Sequence, residues 1–280
     1  MDLTLLHQAL QQPPSVLGVR PEFAGLRPKF QIHWMAATRS TNQDLMAQMA
    51  AGAAAGTVRI ATTQRAGRGQ WGRQWQSPPG GLYLSLGLRP DLTVQRSLYL
   101  TLASAWGLAT SLENLGIPAQ VKWPNDLVVA GHKLGGILVD TRVQGNRVQT
   151  AAVGLGLNYR NPVPPTGISL QQIFALDPPH NQPDLPPSPL NTLEGLVAVA
   201  LYGLMQGYSV WQSQGDLAFL ALYQRRMTHL GQSVLIDQHP ATVTGLAPSG
   251  NLTVQLSSGG TCAPMELEVK PGEVTLGYNA

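Results

Sequence analysis

The chain has 280 residues, 43% of them hydrophobic and 12% charged, with a formal net charge of +3 at pH 7. Such a chain can bury the core of one large domain, or of one large and one small domain, which excludes an intrinsically disordered protein. No basic run of the kind that coats nucleic acid occurs, and no stretch approaches the roughly 20 apolar residues that cross a bilayer. A single cysteine and the lack of a signal-peptide pattern fit a reducing compartment. We therefore expect a cytoplasmic protein that binds neither DNA nor a membrane.

Residues 1–30 hold a short, weakly amphipathic segment and then four prolines, Pro13, Pro14, Pro21 and Pro28. Proline fixes φ and lacks a backbone donor, so this density predicts an extended lead-in. The segment is too short for a helix-turn-helix domain, and we expect no DNA-reading module there.

Between residues 40 and 112 the pattern alternates between helix and strand. Ser40 with Gln43, or Thr41 with Asp44, has capping-box spacing and predicts the start of a helix. Two strands and a second helix are predicted after it, over residues 58–62, 82–88 and 98–112 respectively.

The following region is predicted to contain four strands, over residues 119–123, 127–130, 133–141 and 147–157. The links between them are too short to hold a crossover helix, so neighbouring strands should pair antiparallel. Prolines crowd residues 177–189, which we expect to form a surface excursion.

Two helices are predicted next, over residues 191–213 and 216–229, with Gly231 ending the second. Short β-like runs over 233–236, 242–246 and 252–256 then alternate with turn residues, which predicts a small antiparallel barrel or sandwich. The sequence thus predicts an α+β protein divided into an extension (1–30), a main domain (31–230) and a small β domain (231–280).

The run Gly67-Arg68-Gly69-Gln70-Trp71-Gly72 matches the dinucleotide fingerprint and nearly matches a Walker A loop. Both motifs need a helix to begin at the loop, whereas this segment continues through prolines and glycines into a strand. We reject both folds. Accessible backbone N–H groups and the positive charges of Arg65, Arg68 and Arg73 still suit a polyphosphate, with a solvated Gly/Arg turn as the alternative.

Three further segments have the composition of a binding site. The run Lys122-Trp123-Pro124-Asn125-Asp126 on its own indicates a hairpin turn. Glycine pairs inside the strands at 133–138 and 154–158 indicate a ligand or another backbone passing close, or a bulge. The histidines show no metal-ligand spacing, and Cys262 is expected to be a packed thiol.

Taken in order, these segments resemble the biotin–protein ligases. The resemblance runs from about residue 31 to the C-terminus and rests on residues 40–42, 63–69, 72–78, 81–86, 122–127, 133–138, 154–158 and 272–276. It implies a class II synthetase-like catalytic domain, with a mainly antiparallel sheet and helices on one side, and a C-terminal SH3-like β-barrel.

The resemblance also implies a two-step reaction. Biotin is activated with ATP and Mg²⁺ to biotinyl-5′-AMP, and biotin then passes to a lysine of the biotin carboxyl carrier protein of acetyl-CoA carboxylase. A homodimer is one assembly that it allows.

By resemblance, Lys133 lies between the biotin carboxyl group and the α-phosphate. Arg68 is the second expected catalytic cation, and Asp126 serves either the acceptor lysine or Mg²⁺. The residues expected at biotin are Ser40, Thr41, Asn42, Gln64, Gly135 and Gly136. Those expected at the adenylate are Arg68, Gly69, Gln70, Arg73, Lys122, Asn125, Lys133 and Asn158.

One position departs from the family pattern. The loop commonly reads Gly-Arg-Gly-Arg, and the second arginine is Gln70 here, which keeps a donor but loses the charge. Two other functions remain as alternatives: a lipoate–protein ligase or octanoyltransferase on a related fold, and a non-catalytic nucleic-acid adaptor built on the SH3-like domain.

Overall fold

The computed structural model describes residues 1–176, 188–236, 238–256 and 265–278. Its helices are α1 (Leu3–Leu10), α2 (Thr41–Ala50), α3 (Leu98–Asn114), α4 (Leu170–Leu176), α5 (Leu193–Gln214) and α6 (Asp216–Gln224). The first eight strands are β1 (Gln31–Thr38), β2 (Thr57–Gln64), β3 (Leu82–Leu88), β4 (Leu92–Thr93), β5 (Gln120–Lys122), β6 (Asp126–Val129), β7 (His132–Gln144) and β8 (Arg147–Leu157). The last four are β9 (Ser233–Ile236), β10 (His239–Leu246), β11 (Leu252–Leu256) and β12 (Glu266–Val269).

The main sheet has eight strands in the order β1-β2-β3-β8-β7-β6-β5, and β4 pairs with β8 beside this path. Every pair is antiparallel except β1–β2, which is parallel. The predicted antiparallel pairing of residues 119–157 is therefore confirmed, and so is the α+β class. Strand β1 was not predicted: it lies at the sheet edge, where its mostly exposed residues show no two-residue apolar alternation.

The two faces of the sheet carry different helices. Leu82, Leu84 and Leu86 of β3 point into the large core beneath α3 and α5. The alternate residues point to the other face, where the Ser85 hydroxyl contacts α2 and a Cβ at Gly87 would lie 2.8 Å from the Met49 sulfur. Because successive strand residues face opposite sides, α2 covers the second face, and the expectation of helices on one side only is wrong.

The N-terminal segment belongs to the core. Asp2 caps α1 by accepting hydrogen bonds from two backbone N–H groups, and the helix packs on α5. Leu6 and Leu17 are fully buried. The prediction of an extended lead-in is wrong, because burial of these apolar side chains outweighs the proline content of the intervening turns.

Helices α3 and α5 cross with almost no side chain between them. A Cβ at Gly207 would overlap the carbonyl oxygen of Ala103, and one at Gly107 would overlap that of Gly203. Contrary to the expectation from the sequence, helix α5 is long and apolar enough to span a bilayer, but 72% of its most apolar stretch is buried inside the protein. That is the environment of a core helix.

The C-terminal strands form a four-stranded antiparallel sheet in the order β12-β11-β10-β9, compatible with the expected small β domain. Two hydrogen bonds connect it to the main sheet and α3: Tyr99 Oη donates to Pro248 O at 2.6 Å, and Trp123 Nε1 donates to Gly250 O at 3.0 Å. Strand β12 was not predicted.

Helix α6 ends at Gln224, so the helix end predicted at Gly231 is wrong. Most of the predicted excursion at 177–189, and Cys262, lie outside the described residues.

We predict that Gly207→Ala destabilises the protein by about 1–3 kcal/mol, because the added methyl group cannot enter the α3–α5 contact without moving a backbone. The sign of the change in the free energy of unfolding distinguishes packing from helix propensity. Alanine in a free helix would stabilise by roughly 0.5–1 kcal/mol relative to glycine. Urea unfolding measures the change. Gly25→Ala, where a Cβ would meet nothing within 4 Å, is the control. Equal midpoints for Gly207→Ala and the parent would contradict the packing argument.

Candidate active site

A cavity of about 140 Å³ opens where the N-terminus of α2 meets strands β7 and β8. The loop between β2 and β3 closes its remaining side. The predicted site residues that line this first cavity are Ser40, Thr41, Asn42, Gln64, Arg68, Gly69, Gln70, Arg73, Asn125, Asp126, Lys133 and Gly136.

One wall of the first cavity is a network around Gln64. Its side-chain oxygen accepts hydrogen bonds from the Thr41 backbone N–H at 2.9 Å and the Thr41 hydroxyl at 3.2 Å. Its amide nitrogen donates to the Ser77 hydroxyl at 2.9 Å. Ser40 occupies the N-cap position of α2, but its hydroxyl caps no backbone N–H, so the predicted capping box does not form. Ser40 instead lies buried on the cavity wall.

Asn42 connects α2 to the sheet and to the loop. Its side-chain oxygen accepts from the Ser85 hydroxyl at 2.6 Å, and its nitrogen donates to Leu138 O and to Asp140 Oδ2, both at 3.0 Å. The same carboxylate oxygen lies 3.2 Å from Arg68 Nη1. Asp140 therefore tethers the arginine of the loop to β7. Sequence reasoning missed Asp140, because no local pattern distinguishes it from an ordinary strand residue.

The charged end of the first cavity is an ion pair. Lys133 Nζ lies 2.7 Å from Asp126 Oδ1, and the carboxylate is nearly buried. Asp126 faces Gly136 across the β6–β7 register, where a Cβ would lie 3.1 Å from Asp126 Oδ1 and 3.5 Å from Lys133 Nζ. The second glycine of the 133–138 motif thus leaves room for the ion pair.

Lys122 and Tyr278 complete this charged cluster. Lys122 Nζ lies 3.4 Å from the ring centroid of Tyr278, whose hydroxyl donates to Asp126 Oδ2. Burial lowers the pKa of Lys122 to about 8, opposed by the charge of Asp126 and assisted by the charges of Lys133 and Arg73. Burial also raises the pKa of the Tyr278 hydroxyl well above its usual range, and Asp126 adds to this. Tyr278 was not predicted, since it lies 152 residues beyond Asp126 in the chain.

A second cavity of about 270 Å³ adjoins the first. Trp75 and Lys133 line both cavities, and Asn158 and Tyr278 line the second. The Trp75 Nε1 donor is buried without a hydrogen-bond partner among the described residues. It is therefore a donor available to a ligand.

Three predicted site residues lie away from the first cavity. Asn158 lines the second cavity and donates to Lys133 O at 3.2 Å. Lys122 lines a third cavity of about 210 Å³ beside His229. Gly135 lies within β7, where a Cβ would approach Gly156 O to 2.8 Å, so its small size serves the contact between strands.

The glycines of β8 make room for side chains rather than for another backbone or a bulge. A Cβ at Gly154 would overlap the Asn42 amide, and one at Gly156 would overlap the Trp75 ring. At these two glycines the close approach is made by side chains, and not by the ligand or backbone that was predicted. Asn42 and Trp75 hold α2 and the loop against the sheet.

Comparison with known proteins agrees with this geometry. Residues 34–158 match the model of the Biotin/lipoate A/B protein ligase family. The bifunctional ligase/repressor BirA of Bacillus subtilis is 40% identical over 105 residues, covering 37% of this chain and 32% of that protein. The biotin–[acetyl-CoA-carboxylase] ligase of Paracoccus denitrificans is 32% identical over 157 residues, covering 51% of this chain and 65% of that protein. The match thus spans only about a third of the BirA proteins.

Among solved structures, the biotin protein ligase of Aquifex aeolicus in complex with biotin and ATP matches with a TM-score of 0.63 and 24% identity, covering 88% of this chain and 97% of that chain. A mutant of the same ligase in complex with biotin matches with a TM-score of 0.63 and 25% identity over the same shares. The matched segment contains Lys122, Asp126 and Lys133, and the fold agrees over most of both chains. The chain therefore has the fold of the biotin protein ligases, and its residues 34–158 resemble the Biotin/lipoate A/B protein ligase family.

Proposed function

We propose that this protein is an ATP-dependent, AMP-forming ligase that activates biotin to biotinyl-5′-AMP and transfers biotin to a lysine of a carrier protein. The observation that carries the proposal is the position of Lys133. Its ammonium group lies at the junction of the two adjoining cavities and is held by Asp126. Two substrates that occupy these cavities would meet at this cation.

The first cavity suits biotin. Ser40, Thr41 and Gln64 supply hydroxyl and amide groups for the ureido ring, and Ile137 and Leu155 supply apolar surface for the rest. Pockets of this kind bind ligands by apolar enclosure with a few placed polar groups.

The second cavity, with the neighbouring loop, suits the nucleotide. The ring of Trp75 and the amide of Asn158 line the cavity, and Arg68 and the 67–73 backbone would hold the phosphates. The N–H groups of Gly69 and Trp75 bond within the loop, to Arg73 O and Gly67 O, so the loop has a defined shape of its own.

The chemistry explains why cations gather here. A biotin carboxylate oxygen attacks the α-phosphorus, an O–P bond forms, and the bond to pyrophosphate breaks. The acceptor amine then attacks the activated carbonyl, AMP leaves and the amine loses a proton. Bringing two anions together requires positive charge, which Lys133, Lys122 and Arg68 would supply.

Asp126 fits a positioning role better than a metal-ligand role. Its two oxygens contact Lys133 and Tyr278. Among the described residues, no group of three or more His, Cys, Asp or Glu could hold a metal ion. Mg²⁺ commonly binds through substrate phosphates with one or two carboxylates. We therefore assign Mg²⁺ to the nucleotide in this proposal and derive no step through a protein-held metal.

The names of the relatives support a carboxylase carrier as the acceptor. We propose the biotin carboxyl carrier protein of acetyl-CoA carboxylase as partner. The family model also includes lipoate enzymes. ATP–pyrophosphate exchange with biotin, lipoate and octanoate in parallel separates these functions. Faster exchange with lipoate or octanoate than with biotin would overturn the proposal.

We predict that Lys133→Ala lowers biotin-dependent ATP–pyrophosphate exchange by about 10²–10³, because one preorganised contact to transition-state charge is lost. Circular dichroism should show an unchanged fold. Lys29→Ala, which removes an exposed lysine outside the cavities, is the matched control. Near-parental exchange by a folded Lys133→Ala protein would contradict the assignment.

The lowered pKa of Lys122 predicts a pH dependence. A lysine is cationic below its pKa, so its attraction for the triphosphate should be present below about pH 8 and lost as the pH rises through that value. We expect kcat/KM for ATP to fall on this basic limb. In Lys122→Arg the fall in kcat/KM for ATP should move to higher pH, since arginine stays charged. Lys29→Arg should leave the limb in place, and an unmoved limb in Lys122→Arg would exclude Lys122 as its source.

Gln70 lines the first cavity in place of the family's arginine. We predict that Gln70→Arg slows release of biotinyl-AMP roughly fivefold, because charge-assisted hydrogen bonds are about twice as strong as neutral ones. Stopped-flow displacement measures the rate. Gln12→Arg adds the same charge at an exposed site outside the cavity and should leave release unchanged. Faster release from Gln70→Arg would show that this side chain does not reach the adenylate.

A further inference from the structure

The last described residues of the chain, 276–278, dock against the charged cluster. Leu276 is buried, and Gly277 O lies 3.2 Å from His229 Nε2. Burial lowers the pKa of His229, so the ring is neutral at pH 7. Nε2 then carries the proton that Gly277 O accepts, and Nδ1 accepts from the Thr228 hydroxyl at 2.6 Å. The backbone before Tyr278 is thus held by the burial of Leu276 and by the hydrogen bond from His229 to Gly277 O.

Tyr278 contacts two charges with two different parts of its side chain. The hydroxyl donates to Asp126 Oδ2, whereas Lys133 contacts the other oxygen, Oδ1. The ring face lies 3.4 Å from Lys122 Nζ, well within cation–π distance. Tyr278 therefore connects Lys122 to the carboxylate of Asp126, which is itself paired with Lys133.

This arrangement restricts how the cations can move. With the Tyr278 hydroxyl bonded to Oδ2 and the Lys133 ammonium 2.7 Å from Oδ1, the Asp126 carboxylate cannot turn without losing a charge-assisted hydrogen bond or an ion-pair contact. Lys133 is then held at the junction of the cavities. Lys122 is held beside it by the ring rather than by a carboxylate, so its charge remains available to an incoming phosphate.

We propose that Tyr278 is a positioning residue for biotin activation: its hydroxyl fixes Asp126, and through it Lys133, while its ring holds Lys122. This inference rests on the proposed ligase function and extends it to a residue near the end of the chain. The raised pKa of the hydroxyl keeps it protonated, and therefore able to donate to the carboxylate, across the physiological range.

The test compares Tyr278→Phe with Tyr278→Ala. Phenylalanine keeps the ring over Lys122 and loses the hydroxyl, so we expect kcat for biotin-dependent exchange to fall roughly tenfold with KM for ATP unchanged. Tyr278→Ala also loses the ring, so KM for ATP should rise severalfold in this variant. It should stay at the parental value in Tyr278→Phe, which keeps the ring. Tyr202→Phe is the control, since that hydroxyl donates to Leu10 O at 3.1 Å on the N-terminal segment.

Calorimetric binding of biotin separates positioning from misfolding. Biotin affinity should match the parent in Tyr278→Phe, because Ser40, Thr41 and Gln64 line the first cavity whereas Tyr278 lines the second. A parental kcat in Tyr278→Phe overturns the inference, and so does a loss of biotin affinity that parallels the loss of kcat. A parent protein without biotin-dependent exchange refutes the ligase function, and the inference with it. An active parent with an unaffected Tyr278→Phe variant refutes the inference alone.

Discussion

The Asp126 carboxylate joins the segment that carries Lys122 and Lys133 to Tyr278, which lies 152 residues beyond Asp126 in the chain. Lys133 reaches it from the start of β7, and Tyr278 from the C-terminal tail. Lys122 lies against the same tyrosine at the end of β5. A buried carboxylate is costly unless it is paired and hydrogen-bonded. Its partners must therefore be in place when the site is formed, and this requirement orients the cations on which the proposed chemistry depends.

Space for this cluster comes from residues without side chains. Gly136 faces the ion pair, and Gly154 and Gly156 on the neighbouring strand accommodate Asn42 and Trp75. Glycine inside a strand costs stability. Three such positions around one cavity indicate that the sheet gives up packing there so that α2 and the β2–β3 loop can approach it.

The C-terminal region contributes to the site as well as to stability. Tyr278 lies beside Lys122, and a Cβ at Gly272 would come within 3.0 Å of the Trp71 ring on the β2–β3 loop. The β2–β3 loop and the C-terminal segment, which are far apart in the sequence, therefore both approach the site. This arrangement gives a physical reason for the C-terminal four-stranded sheet to accompany a main sheet whose residues line both cavities.

Local patterns in the sequence determined most of the elements and the resemblance to the biotin–protein ligases. Alternation over Leu82–Leu88 is a property of one strand, and helical spacing over 98–112 is a property of one helix, so both could be predicted without knowledge of their neighbours. The motifs at 122–127 and 133–138 gave the fold and the expected reaction by resemblance. Taken together, all the motifs of the resemblance gave most of the residues that line the first cavity.

Contacts between distant segments could be decided only by the tertiary structure. The burial of Leu6 and Leu17, the position of α2 on the second face, the tether from Asp140 to Arg68, and the entry of Tyr278 each join residues far apart in the chain. No local periodicity encodes such a pairing. It arises because apolar surface and buried charge must find partners wherever the folded chain provides them.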